Sequence, residues 1–111
     1  MSETQTTIVA GGDVVTVINA FVCAEQRQDA LVAAIDRIAE EVFRKVPGFI
    51  SLNVHASLDR TRVVNYLQFE SVAAMDAALE RADVQDHMAQ ILQIADGADP
   101  RLFTVRSVHH I

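Results

Sequence analysis

The order of hydrophobic periods along the chain is the feature that most constrains its fold. Residues 13–23, "DVVTVINAFVC", are rich in β-branched side chains and contain no Pro or Gly, which predicts a strand. Residues 25–45 change to a helical period, because Leu31, Ile35 and Ile38 recur at steps of four and three. The chain is therefore expected to begin with a strand that leads into an amphipathic helix.

The middle of the chain predicts a β-hairpin. Residues 49–58, "FISLNVHASL", and residues 61–70 both alternate between two faces, as strands do. Asp59 and Arg60 lie between them and suit a tight turn. Because so short a connection joins only antiparallel neighbours, these two strands are expected to pair with each other.

A second helical region and a last strand follow the hairpin. Ser71 is a good N-cap for a helix over residues 72–82, and Asp83 is predicted to cap a further helical segment over residues 84–95. The remaining segments are predicted to be a loop and a fourth strand: residues 96–100 and 101–110.

The order strand, helix, strand, strand, helix, strand predicts a ferredoxin-like βαββαβ fold. Right-handed crossovers place the second strand parallel to the first and the third strand between them. The result is an α+β domain, an antiparallel sheet with helices on one face. We expect a flexible N-terminal arm over residues 1–12 and a single domain over residues 13–111.

The sheet face opposite the helices is predicted to be apolar and to need a cover. The residues assigned to that face on the first two strands are Val14, Ile18, Val22, Ile50, Leu52 and Val54. An apolar sheet face left in water would form an unusually large exposed patch. The sequence therefore predicts a homodimer in which two sheets pack face to face.

Charge and composition exclude several classes of partner. The net charge is −6 and no five-residue basic cluster exists, so nucleic acid is not an expected partner. The single cysteine, Cys23, excludes an intrachain disulfide and suits a reducing compartment. No stretch resembles a signal peptide or approaches the ~18 apolar residues of a membrane span. We therefore expect a cytoplasmic protein with no membrane association.

Two amides on the central strands are the strongest indication of a site. Asn19 shares a strand face with Val17 and Phe21, and Asn65 shares one with Leu67. A buried amide without partners costs roughly 1–3 kcal/mol. Each asparagine alone could bond a neighbouring side chain or the backbone. If both face the helices, however, they converge in an apolar space where a polar ligand would satisfy them.

Three motifs resemble one known family. They are "VPGFISLNVHASLDRTRVVNYLQFES" (residues 46–71), "TVINAF" (16–21) and "LFTVRS" (102–107). Together they resemble the antibiotic biosynthesis monooxygenase superfamily, and within it the quinone-forming monooxygenases, or anthrone oxygenases, of aromatic polyketide pathways. The resemblance implies a dimeric α+β barrel. It also implies oxidation of an anthrone-like, electron-rich phenol by O₂ with no cofactor. In agreement, the sequence has no nucleotide-binding glycine motif and no Cys/His cluster with metal-ligand spacing.

The resemblance assigns roles to particular residues. Asn19 and Asn65 would stabilise the oxyanion of the substrate. Apart from the resemblance, His55 is the best candidate for a general base, because histidine as a residue type ionises near neutral pH; the alternative is that it lies on the strand face away from the pocket. His87 is either a rim histidine or a pocket acid, base or ligand. The side chains expected to line an aromatic slot are Phe69, Phe21, Leu67, Met75 and Met88. Two positions depart from the family, since Phe69 stands where a Trp is typical and Met75 lies near a position that some members fill with Tyr.

Two rival functions remain open at this point. A dimeric barrel can bind a small hydrophobic molecule without transforming it, and the missing Trp and Tyr favour that interpretation. The superfamily also contains haem-degrading monooxygenases, which use a helix histidine to hold the iron. Here the helix histidine is His87, which aligns two residues before the family position, and Phe69 again replaces a Trp.

Overall fold

The computed structural model describes residues 4–111 and confirms the βαββαβ order. Short 3₁₀ turns flank the first helix, at Glu25–Arg27 and Phe43–Lys45. The strands and helices are β1 (Val15–Val22), α1 (Gln28–Glu41), β2 (Phe49–Ala56), β3 (Arg62–Phe69), α2 (Val72–Leu79), α3 (Ala82–Ile94) and β4 (Gly97–Phe103). Of the helices in this part of the chain, none is long and apolar enough to cross a membrane.

The four strands form one antiparallel sheet in the order β2-β3-β1-β4. The third strand therefore lies between the first and second, as predicted, and β1 and β3 occupy the centre. In the register of β1 and β3, Asn19 lies directly opposite Asn65. Directly opposed residues of an antiparallel pair project from the same face, so the two amides share one face of the sheet.

The core fills the space between the sheet and one face of the helices. Leu31, Ile35 and Ile38 of α1 are fully buried there, which follows from their helical spacing. Gln28 fastens α1 to the β2–β3 hairpin, because its Nε2 donates to the carbonyl oxygens of Ser57 and Arg62, both at 3.0 Å. All helices therefore cover the same sheet face, which we call the inner face.

The hairpin turn and the first cap of the second helical region are confirmed. Asp59 accepts hydrogen bonds at the turn from Ser57 and from the backbone and side chain of Thr61. These bonds lower the pKa of Asp59 to about 2. Ser71 caps α2, since its hydroxyl accepts from the backbone N–H of Ala74 at 3.1 Å.

The predicted cap at Asp83 is wrong. The N-cap of α3 is Arg81, two residues earlier. Asp83 already lies in the first helical turn, where both of its carboxylate oxygens accept from the Arg81 guanidinium at 3.0 Å. A carboxylate in the first turn complements the helix dipole, just as a capping carboxylate does. The residue type therefore suits both positions, and the predicted start of the helix lies two residues too late.

The predicted faces of the second strand are also wrong. An irregularity between Phe49 and Ser51 shifts the register of β2 against β3. As a result Leu52 lies opposite Leu67, and Val54 opposite Asn65, on the inner face. A β-bulge inserts an extra residue into one strand, so strict alternation fails across it.

The fourth strand begins earlier than predicted. β4 spans Gly97–Phe103, so most of the predicted loop over residues 96–100 belongs to the strand, and residues 104–110 lie outside it. Pro100 sits inside β4 because an edge strand needs only one of its two sides for pairing.

The outer face of the sheet carries polar side chains and the N-terminal segment. Gln68 donates from Nε2 to the carbonyl oxygen of Thr7 (3.0 Å), and the Thr6 hydroxyl donates to Oδ1 of Asn53 (2.7 Å). Residues 4–12 contain no helix or strand but contact the sheet through these bonds. The predicted arm also includes residues 1–3, which lie outside the described residues.

Candidate active site

An apolar cavity of about 180 Å³ lies between the centre of the sheet and the helices. Asn19 and Asn65 are the polar side chains of its wall. The lining residues are Val17, Asn19, Ile38, Phe43, Leu52, Asn65, Leu67, Leu79, Met88, Ile91 and Pro100. The predicted convergence of the two amides under the helices is what the structure shows.

The two amides occupy the middle of one row across the sheet. Val54, Asn65, Asn19 and Pro100 follow one another on β2, β3, β1 and β4. Opposed residues in such a pair have Cβ atoms roughly 4.5–5.5 Å apart. Both carboxamides can therefore reach a single ligand atom, and apolar neighbours on either side offer them no alternative partner.

The side-chain oxygens of both amides lack hydrogen-bond partners. Oδ1 of Asn19 and Oδ1 of Asn65 are buried and bond to no atom of residues 4–111. Such an orphaned buried acceptor costs roughly 1–3 kcal/mol. Each carboxamide has an oxygen that accepts hydrogen bonds and an NH₂ group that donates two. A 180° rotation about the last side-chain torsion exchanges the positions of these two groups. The pair is thus equipped for a ligand oxygen in either its hydroxyl or its anionic form.

The roof over the amides is apolar throughout. Ile38 comes from α1, Phe43 from the 3₁₀ turn after it, Leu79 from α2, and Met88 and Ile91 from α3. No lining side chain is titratable. The cavity therefore provides an apolar space in which hydrogen bonds to the amides meet little competition from water.

Leu67 and Met88 lie where the slot was predicted, but three other slot residues do not line the cavity. Phe21 is fully buried further along β1, opposite Val63. Met75 is buried and lines a neighbouring surface cleft instead. The prediction failed at these positions because it used the strand face and the helix stripe, which many core residues share.

Phe69 belongs to an aromatic cluster at the end of β3. Its ring centroid lies 5.9 Å from that of Phe49 and 6.2 Å from that of Phe43, both in edge-to-face geometry. Phe43 then lines the cavity, so Phe69 supports the wall without forming part of it. The position that is typically Trp in the family is thus filled here by a core residue.

His55 is not placed to act as a base in this cavity. It lies on the outer face of β2, opposite Val64, and its side chain is exposed to solvent. Successive residues of a strand point to opposite faces, so His55 projects away from its neighbour Val54 and from Asn65. The predicted catalytic role is therefore corrected.

His87 joins two helices and does not line the cavity. Its Nδ1 lies 2.9 Å from the carbonyl oxygen of Asp83, and its Nε2 lies 3.2 Å from a carboxylate oxygen of Glu41 on α1. Since both partners accept hydrogen bonds, they favour the doubly protonated ring and raise the pKa of His87 above its ordinary value. These contacts indicate a structural role between α3 and α1, and they do not place His87 as an acid, base or ligand in the cavity.

The sequence analysis did not identify several of the residues that line the cavity. Leu52 was assigned to the outer face because the bulge leaves no periodic signal. Pro100 was assigned to a loop, as prolines usually are. Phe43 and Leu79 lie at helix ends, where their direction depends on tertiary packing. The helical stripe did identify Ile38 as core-facing, although not as part of a site.

No metal centre is formed by the described residues. Within residues 4–111, no three His, Cys, Asp or Glu side chains come close enough to hold an ion. Cys23 is buried, and burial raises the pKa of its thiol, which disfavours the nucleophilic thiolate. The chemistry available at the cavity is therefore that of two amides and an apolar wall.

The fold and the site define a class of protein: a ferredoxin-like α+β domain of the dimeric α+β barrel type, with a cavity beneath its helices. The family described as antibiotic biosynthesis monooxygenase matches residues 14–90. The chain belongs to this family, as the resemblance of its motifs implied.

Similar proteins support the assignment. Tetracenomycin-F1 monooxygenase of Streptomyces glaucescens is 35% identical over 81 residues, which cover 73% of this chain and 72% of that protein. The crystal structure of a variant of SnoaB, a cofactor-independent oxygenase from Streptomyces nogalater, superposes with a TM-score of 0.79 at 21% identity, covering 87% of this chain and 97% of that one. Rv0793 from Mycobacterium tuberculosis gives 0.74 at 19% identity, covering 88% and 100%. The two structures establish the fold.

Proposed function

We propose that this chain is a cofactor-independent monooxygenase that oxidises an electron-rich polycyclic phenol, such as an anthrone, to a quinone with O₂. The observation that carries the proposal is the pair of buried amides at Asn19 and Asn65 in an apolar cavity, whose side-chain oxygens have no partner among the described residues. The identity to tetracenomycin-F1 monooxygenase supports the reaction class. The name of SnoaB describes a cofactor-independent oxygenase on the same fold.

The reaction needs no electron donor other than the substrate. A methylene carbon of the anthrone loses a proton, and the resulting anion carries its charge on the ring oxygen. The anion gives one electron to O₂, and the two radicals combine to form a carbon–oxygen bond. Loss of the second proton and cleavage of the O–O bond leave a carbonyl and release water. One O₂ thus yields one quinone and one water.

The amides stabilise the anion in this scheme. N–H groups of Asn19 and Asn65 donate to the ring oxygen as its charge develops, and the fixed strands hold both donors in place before reaction. The apolar roof keeps water from the reactive intermediates and strengthens both hydrogen bonds. Leu67 and Met88 contact the flat faces of the substrate.

The proton leaves without a protein base. No lining side chain titrates, and His55 lies on the far side of the sheet. We therefore assign deprotonation to hydroxide in bulk water before the substrate enters the cavity, with the amides favouring binding of the ionised form. The pH dependence of turnover should then follow the ionisation of the substrate.

Oxygen uptake with dithranol, a simple anthrone, tests this function. Metals are chelated, no cofactor is added, and the spontaneous oxidation rate is subtracted. The proposal expects enzyme-dependent uptake with one O₂ consumed per quinone formed. Uptake equal to the background at all protein concentrations would refute it for this substrate class.

A second candidate function is the binding of a hydrophobic hydroxy compound without conversion. The absence of any titratable lining residue favours it, since most oxidations of this kind begin with proton removal. Binding of dithranol without accelerated oxygen uptake would support this candidate. The haem-degrading alternative requires a helix histidine to hold the iron. It loses its main support because His87, the helix histidine of the described chain, does not line the cavity.

We also propose that the chain forms a homodimer, although the apolar residues that support this proposal differ from those that the sequence predicted. Leu52 and Val54 belong to the inner face, so the outer face is less apolar than predicted. It still exposes Val22, Ile50 and Phe103. Light scattering coupled to size-exclusion chromatography should give twice the chain mass of 12.2 kDa, and a value of one chain mass would refute the dimer.

A further inference from the structure

We infer that the binding site continues past Leu79 into the cleft between α2 and β4, and that Leu79 sets how long a polycycle the site accepts. The inference rests on the proposed function, because it concerns how the cavity admits a substrate of that class. Three observations carry it: the size of the cavity, the wall it shares with a cleft, and the position of Leu79 in that wall.

The cavity alone is too small for a polycyclic ligand. Its volume is about 180 Å³, whereas pockets for drug-sized ligands measure roughly 300–1,000 Å³. A single phenolic ring suits that space. In an anthrone the reacting oxygen lies on the middle of three fused rings, so binding that oxygen at Asn19 and Asn65 requires additional room for the outer rings.

That room lies directly behind one wall of the cavity. A surface cleft of about 200 Å³ is lined by Val17, Met75, Leu79, Pro100, Arg101 and Leu102. Val17, Leu79 and Pro100 line both the cavity and the cleft. The two spaces are thus separated by these three side chains, and Met75, a predicted slot residue, lies on the cleft side.

Leu79 is the part of the wall that can move. Val17 is held in the sheet by pairing with Leu67 and Leu102, and Pro100 is held beside Asn19. Leu79 is the last residue of α2 and is 44% exposed. Exposed side chains change rotamer within picoseconds to nanoseconds, so turning Leu79 outward joins the two spaces at little cost.

The joined site also predicts the orientation of the substrate. The middle ring, which bears the reacting oxygen, lies at the amides, and one outer ring extends between Leu79 and Met75 toward solvent. Rings fused beyond that outer ring are expected to project from the cleft. Leu79 is thus a specificity residue that contacts the distal part of the substrate.

Binding of two unreactive probes to the Leu79→Trp variant tests this arrangement. The probes are 1,8-dihydroxyanthraquinone, a three-ring compound that is already oxidised, and phenol, which has one ring. We expect the Kd of the three-ring probe to rise at least tenfold, and at least fivefold more than the Kd of phenol, which meets Leu79 only at the shared wall. The matched control is Leu92→Trp, an exposed α3 position that lines neither space.

Each result decides the question. Unchanged binding of the three-ring probe, equal weakening for both probes, the same effect in Leu92→Trp, or no binding of that probe by the wild-type chain would overturn the inference. Because the probes are not oxidised, the test is independent of turnover. If the size-dependent effect appears but dithranol is not oxidised, the proposed function fails and the inference stands. If dithranol is oxidised but the size-dependent effect is absent, the inference fails and the proposed function stands.

Discussion

The two faces of the sheet both bury polar side chains, but they satisfy them differently. On the outer face, the Ser51 hydroxyl donates to Oε1 of Gln68 at 2.7 Å, and Gln68 in turn donates to Thr7. On the inner face, Oδ1 of Asn19 and Oδ1 of Asn65 bond to nothing in the described chain. Among the described residues, the hydroxyl oxygen of Thr16 is the one buried outer-face side-chain atom that lacks a hydrogen-bond partner.

The difference separates polar groups that serve the fold from polar groups that serve a ligand. A satisfied network contributes to stability, and deleting one member leaves its partners unpaired. An orphaned amide destabilises the empty protein and is retained only if something else requires it. Asn53 and Asn65 are the same residue type on neighbouring strands, so they allow this distinction to be tested directly.

The largest effect is expected for Asn65→Ala. Turnover of dithranol should fall about 100-fold, the scale for loss of one oxyanion donor. The free energy of unfolding should change by less than about 1 kcal/mol, because the buried side-chain oxygen that is removed has no hydrogen-bond partner in the described chain. Oxygen uptake and urea denaturation measure the two quantities.

The matched control for that variant is Asn53→Ala on the outer face. Asn53 donates to Ser51 and to the carbonyl oxygen of Tyr66, so this variant should lose stability and retain its turnover per folded molecule. If Asn65→Ala instead unfolds more easily than Asn53→Ala, the contrast between the faces is wrong.

Next in size is the effect of Gln68→Ala. The substitution leaves the Ser51 hydroxyl without its acceptor in a buried position and removes the hydrogen bond to the exposed Thr7 carbonyl. We expect a loss of roughly 1–3 kcal/mol in the free energy of unfolding. Turnover measured at a temperature where the variant is fully folded should match wild type, and a specific loss of turnover would show that the outer face contributes to catalysis.

A smaller effect is expected from the titration of His87. Its pKa is raised in the folded chain, so the stabilisation is complete below the unfolded pKa of about 6.5 and is lost as pH rises through the folded value. The change should stay below about 1 kcal/mol, because Glu41 is mostly exposed.

Urea denaturation as a function of pH tests that sign. Wild type should lose stability relative to His87→Gln as pH rises above about 6.5. A relative gain over the same range would mean that the folded chain prefers the neutral imidazole, contrary to its two acceptor contacts.

The smallest expected effect is that of His55→Ala. Because His55 is on the outer face, its loss should change neither the maximal rate nor the pH dependence of turnover. The pH profile of both proteins should follow the ionisation of the substrate, which a series of substrates of different acidity would reveal. A tenfold loss of turnover in this variant would restore His55 as a catalytic residue.

The element order and the amide pair could be predicted because both depend on local patterns. Strand and helix periods are visible in single segments, and the βαββαβ order then restricts the sheet to few arrangements. Once β1 and β3 are neighbours, alternation places Asn19 and Asn65 on shared faces. The side of the sheet they occupy follows from Phe21 and Leu67, which share those faces and must be buried.

The remaining features depend on contacts that no local pattern records. The bulge in β2 moved Leu52 to the inner face and His55 to the outer one without changing residue composition. Pro100 lies in a strand only because β4 is an edge. Phe69 was assigned to the slot by its strand face, yet its position near Phe43 and Phe49 makes it part of the core.

A double-mutant cycle at the two amides tests the central claim most directly. Turnover and the free energy of unfolding are measured for Asn19→Ala, Asn65→Ala and the double variant. If both amides hold one oxyanion, each single variant loses about 100-fold in turnover, the double variant loses far less than the product of the two, and stability does not fall. Wild-type turnover in all three variants, or losses that only follow the unfolded fraction, would contradict the account.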